Sequence, residues 1–225
     1  MKQLLCYGDS NTWGLIPGTQ ARFPWGVRWT SRLQERLAAR EFRVIEEGLC
    51  GRTTVFEDAY RADRNGLRTL PLILETHRPL DVAILMLGTN GCKSFYKLNA
   101  RQIAMGVGQC LDALLTALPA DRILLLSPIW LGEKVWMPDF DPEFDRDSVR
   151  VSHELKAAYG EIALRKGVHF LAASDLAGNR PIIPQLVKQP SSCYHVMRSL
   201  KNSQDSGTGG EGSGYMRGKA GGKVG

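Results

Sequence analysis

Short apolar runs alternate with longer amphipathic ones along most of the chain. "KQLLCYG" (2–8) is apolar at consecutive positions and ends in glycine, which predicts a buried strand. "RWTSRLQERLAAR" (28–40) sets Trp29, Leu33 and Leu37 at helical spacing among charges and predicts an amphipathic helix. "FRVIEEG" (42–48) predicts a second strand, and Leu67–Thr76 a helix whose pattern Pro71 interrupts. "LDVAILMLG" (80–88) is the clearest buried strand, followed by a helix from near Asn99 and the strand "DRILLLSP" (121–128). A long helix within 145–167 carries Val151, Leu155, Ala158 and Ile162 as its stripe, and "VHFLAA" (168–173) is a fifth strand. Strands separated by helices of this length imply right-handed crossovers and a parallel sheet covered on both faces. The fold class is α/β, and sites in such sheets gather at the carboxyl ends of the strands.

The pattern fades after Ala177. Nine of the 24 glycines fall in the last 25 residues, in text such as "SGTGGEGSG". That stretch lacks the apolar surface to offset its ordering entropy, so the chain divides into a domain over 1–177 and a tail over 178–225, read as disordered. Composition adds little to this picture. The net charge of +6 is concentrated near the end, where from Lys188 onward six basic residues face Asp205 and Glu211, leaving +2 for the first 187 residues. A mildly basic body without a recognised binding motif argues against a nucleic-acid partner. No apolar run is long enough for a membrane span, and the N-terminus has no h-region of a secretory signal. Five scattered cysteines without a CxxC pair read as reduced thiols in a cytoplasmic protein, with no metal site. Whether the protein is a homo-oligomer stays open.

The first three strands each end in a polar, glycine-bearing turn: "GDSNTWG" (8–14), "GLCGRTT" (48–54) and "LGTNG" (87–91). Ser10 follows the first strand, Gly51 offers a backbone N–H unshielded by a side chain, and Asn90 offers an amide donor. Together they could form an oxyanion hole from the Ser10 N–H, the Gly51 N–H and the Asn90 side chain. Any one of these motifs alone reads equally as a cap or a turn. Three at successive strand ends carry more weight.

With these motifs the chain resembles the SGNH hydrolases, or GDSL esterases, and most closely their arylesterase-type branch. The resemblance runs over residues 3–175 through "GDSNTWG", "VRWTSRL", "VIEEGLCGRTTVFED", "RNGLRTLP", "THRPLD", "ILMLGTN" and "LLLSP". It implies a three-layer, flavodoxin-like sandwich with a central five-stranded parallel sheet. It also implies hydrolysis of small aryl or alkyl carboxylic esters through an acyl-enzyme, without cofactor or metal, in some relatives with acyl transfer to alcohols. By motif match Ser10 is the nucleophile, and Gly51 and Asn90 are oxyanion donors. Two departures stand out. "GTNG" replaces the family's "GTND", and no D-x-x-H block follows the fifth strand, where the family keeps its catalytic Asp and His.

Four histidines could serve as the base. His77 matches a loop position that is not catalytic in that family. His153 falls on a solvated helix face, and His169 at a strand start. His195, in "SSCYHVM", lies in the expected region, but Ser192 stands where the Asp should be. The ending from about 178 reads as foreign to the family, as an out-of-frame reading would produce. An impaired or inactive member that only binds esters is therefore the alternative to an active esterase.

Overall fold

The computed structural model describes residues 1–177. The tail over 178–225, and with it His195, lies outside the described residues.

Five strands form one parallel sheet in the order β2-β1-β3-β4-β5. They are β1 (Lys2–Gly8), β2 (Phe42–Gly48), β3 (Val82–Met86), β4 (Ile123–Ser127) and β5 (His169–Ala172). Between them run α1 (Ser10–Trp13), α2 (Trp29–Leu37), α3 (Gly66–Thr76), α4 (Ala100–Leu115) and α5 (Arg146–Lys166), with α6 (Ala173–Ala177) after β5. Residues Leu5, Tyr7 and Leu85 point to the face covered by α3, α4 and α5, where Leu70, Leu111 and Leu155 pack. Leu4, Cys6 and Ile84 point the other way, towards Trp29 and Leu37 of α2. Apolar residues at consecutive strand positions thus serve two covered faces, as a parallel sheet requires.

Local signals set the helix ends. Asn99 and Asp145 cap α4 and α5 through reciprocal bonds with Gln102 and Ser148. Gly167 closes α5 at φ 66°, a conformation that costs a residue with a Cβ more than glycine. Pro71 lies inside α3 without ending it. The third, fourth and fifth strands end earlier than the sequence suggests, at Met86, Ser127 and Ala172. Ala173 opens α6 instead of extending β5, because the ladder with β4 runs out at Ser127 opposite Ala172.

The register matters most for function. Gly8 lies opposite Gly48 on one side and Met86 on the other, so the three motif turns leave the sheet at one level.

Candidate active site

Ser10 is the first residue of α1, half-buried, immediately beyond β1. Asp9 caps this single turn of helix from a fully buried position, its Oδ1 accepting the Asn11 backbone N–H at 2.9 Å and Nδ2 at 3.2 Å. Burial pushes the Asp9 carboxyl up to about 6. The helix sits close on the sheet edge because both strand ends are glycine. A Cβ on Gly48 would lie 2.2 Å from the Trp13 nitrogen, and one on Gly8 2.1 Å from Thr12 Oγ1.

The turn after β2 holds Gly51 at φ 83°. Next to it, the buried Arg52 closes off two strand ends. Its Nη1 donates to the carbonyl of Gly8 at 2.9 Å and to that of Glu47, and its guanidinium lies 4.1 Å from the centre of the Tyr7 ring. The Tyr7 hydroxyl in turn donates to the Gly66 carbonyl at 2.8 Å, and burial raises it to about 12, so it stays protonated. The turn after β3 is fixed from below: Tyr159 of α5 donates to the Leu87 carbonyl at 2.7 Å. Its hydroxyl leaves no room at Gly88, where a Cβ would sit 2.1 Å away.

These turns are joined to one another. Asn90, buried, donates from Nδ2 to the Arg52 carbonyl at 3.0 Å, beside Gly51. Asn11, beside Ser10, donates from Nδ2 to Thr89 Oγ1 at 3.3 Å, beside Asn90. Ser10, Gly51 and Asn90 are thereby gathered at one end of the sheet. Among the described residues neither the Ser10 nor the Gly51 N–H meets a protein acceptor.

The three histidines within the described residues are each engaged. His77 Nε2 lies 2.8 Å from Glu47 Oε1. The His153 ring stacks on Trp130 with centroids 4.5 Å apart, and His169 Nε2 lies 3.1 Å from the Asp121 carbonyl. His195 lies outside the described residues.

The aromatic residues that crowd the loops fall into two groups. Trp29 and Phe144 are core, whereas Trp25, Trp130 and Phe140 are exposed. Beyond Trp130 a groove of about 650 Å³ runs along α5, with Trp136, Arg146 and His153 in its wall. The motif turns of the sequence point to Ser10, Gly51 and Asn90, whereas Asp9, Arg52 and Tyr159 emerge as parts of their support only in the fold. Only Asp9 had a local signal, as a helix cap before serine.

The GDSL-like lipase/acylhydrolase family matches residues 6–188. The chain belongs to that family. It is a hydrolase acting on ester bonds, of the arylesterase-like kind, with a fold shared by its relatives. A carbohydrate acetylesterase from Sinorhizobium meliloti is 32% identical, with a TM-score of 0.73 over 92% of this chain and 99% of that one. The M. smegmatis aryl esterase shows the same identity, TM-score and coverage. The lipase/acylhydrolase from Enterococcus faecalis, at 16% identity and a TM-score of 0.58, shares the fold alone. No match was found among the curated proteins. Among the described residues no helix of this esterase is long and apolar enough to cross a membrane.

Proposed function

We propose that this hydrolase is a serine esterase that splits small, apolar carboxylic esters through an acyl-enzyme on Ser10. Ser10 Oγ attacks the ester carbonyl carbon and gives up its proton, and the carbonyl oxygen takes the negative charge. As the carbonyl re-forms, the bond to the alcohol breaks, the alcohol leaving with the proton that Ser10 released. Water then adds to the acyl-serine and releases the acid. An alcohol in place of water gives acyl transfer. The developing oxyanion is held by the Ser10 N–H, the Gly51 N–H and Asn90 Nδ2.

One observation carries this reading: Asn90 Nδ2 spends one hydrogen on the Arg52 carbonyl and keeps the other. An amide fixed in that way is oriented before substrate arrives, which is what electrostatic stabilisation without reorganisation needs. The exposed aromatics Trp25, Trp130 and Phe140 favour apolar esters over charged ones. Relatives that bear the names aryl esterase and carbohydrate acetylesterase fit a small acyl group. Among the described residues the free thiols of Cys50, Cys92 and Cys110 support a reducing, cytoplasmic setting.

The test is covalent. Diethyl p-nitrophenyl phosphate should add one diethylphosphoryl group per chain, on the peptide containing Ser10, and none to Ser10→Ala. Labelling elsewhere, or none, refutes the nucleophile. A second reading rests on Ser192 standing three residues before His195 where the family has Asp. If it holds, the chain labels poorly, and turnover of p-nitrophenyl acetate matches that of Ser10→Ala until a D-x-x-H ending is restored.

A further inference from the structure

Four charged side chains from three different loops meet beside Gly51. Arg61 binds Asp58 through Nε at 3.0 Å and Nη2 at 2.9 Å, and Nη2 also reaches Glu143 Oε2 at 3.3 Å. Lys93 Nζ lies 2.5 Å from the same Glu143 oxygen. Asp58 belongs with Arg61 to the loop after β2, Lys93 to the loop after β3, and Glu143 to the loop after β4. The side chains of Asp58 and Lys93 are only 1% and 2% exposed, so the cluster is anchored from within. Asp58 Oδ1 also accepts the backbone N–H groups of Tyr60 and Arg61.

The guanidinium is therefore clamped along its Nε and Nη2 edge. Its face lies over Gly51: Cζ and Nη1 both lie 3.1 Å, and Nε 3.5 Å, from where a Cβ of Gly51 would begin. Nη1 makes no hydrogen bond among the described residues. Arg61 thus fills the space a side chain at residue 51 would take. A glycine in a left-handed conformation is the least restrained point of its turn. A rigid cation packed against it limits where its N–H can point and adds positive potential there. The exposed pair of Arg61 with Glu143 contributes at most about 1 kcal/mol, whereas Asp58, 1% exposed, relies on Arg61 for its countercharge.

We propose that Arg61 is a positioning residue for ester cleavage, acting through Gly51 and held in place by Asp58 and by Glu143 with Lys93. This rests on the reading of Gly51 as an oxyanion donor. Removing Arg61 should lower the stabilisation of charge on the reacting oxygen and leave binding of the neutral ester alone.

The experiment compares the full chain with Arg61→Ala and Arg61→Lys. It follows the rate of Ser10 labelling by diethyl p-nitrophenyl phosphate, kcat and KM for p-nitrophenyl acetate, and the thermal midpoint. Arg61→Ala should slow labelling and kcat about tenfold, less than loss of a donor itself. KM should stay within about twofold; the midpoint should fall, because the buried Asp58 loses its countercharge, so rates are compared well below it. Arg61→Lys should fall between, because it restores charge without the planar fork. Guanidinium chloride at non-denaturing concentration should return part of the lost rate to Arg61→Ala. Unchanged labelling in Arg61→Ala, a change in KM alone, or a rate loss that tracks unfolding and resists guanidinium would each overturn the proposal with Ser10 still the nucleophile. Absence of Ser10 labelling in the parent chain removes the reading of the site and this inference with it.

Discussion

Two regions at the same end of the sheet are built on opposite terms. The floor, made by the turns after β1, β2 and β3, is polar yet buried: Asp9, Arg52, Thr53, Thr54 and Asn90 are all shielded from water. Its hydrogen bonds cross between distant segments, as from Asn90 to Arg52 and from Arg52 to Gly8. The rim, residues 128–140, keeps apolar Trp130 and Phe140 in water. Its bonds are mostly local, such as Val135 to Gly132 and Trp136 to the Glu133 carbonyl. Buried polar groups must be satisfied at fixed geometry, whereas exposed ones can exchange partners with water. The floor suits a part whose atoms must not move during reaction. The rim suits a part that must accept more than one shape.

If that division is right, substitutions in the floor change rate and those in the rim change affinity. The largest effect is expected for Ser10→Ala, which should abolish covalent labelling and leave only the catalysis that binding and the oxyanion donors supply, measured with p-nitrophenyl acetate. Asn90→Ala should come next, slowing turnover by about 10²–10³ with KM little changed. A rate equal to the parent's would remove Asn90 from the floor's chemistry.

The third expectation concerns Asp9 and pH. Its folded value of about 6 lies above the ordinary carboxylate value near 4, so the folded chain holds this proton more tightly than the unfolded one. The ionised form therefore costs stability, in full above about pH 6 and not at all below about pH 4. A shift of about two units is worth at most about 3 kcal/mol. Asp9→Asn should raise the thermal midpoint at neutral pH and flatten its dependence between those values. A midpoint lowered at neutral pH would show that the buried charge is better compensated than its burial implies.

Tyr159→Phe should cost about 1–3 kcal/mol, because the Leu87 carbonyl loses its donor in a dry setting. The smallest effect belongs to the rim. Trp130→Ala loses one stacking partner and should move KM no more than a few-fold, with kcat unchanged. A Trp130→Ala variant that lost kcat instead would erase the distinction between the two regions.

Much of this was legible in the chain. β1 and β2 were readable to the residue, because apolar runs bounded by Gly8 and Gly48 carry their own ends. Ser10, Gly51 and Asn90 stood out because each lies in a short polar turn directly after such a run. The framework around them was not legible. Arg52 looks like any loop arginine until the ends of β1 and β2 are side by side. Tyr159 looks like part of a helix stripe until α5 lies under Leu87. The contact between Arg61 and Gly51 is held in part by Glu143, far along the chain, on the guanidinium's Nη2. Periodicity reports which face of an element is buried; it has no access to which distant polar atom meets it there.

The strand order has one consequence of another kind. β1 is the first strand made, yet it lies between β2 and β3, each of which must cross over a helix to reach it. Parallel pairing of this sort brings no reward until long loops have closed. A nascent or refolding chain can therefore display Ser10 for some time without Gly51 and Asn90 beside it. Its hydroxyl is then as inert as any serine on a flexible peptide. Chemical competence arrives only with the completed sheet.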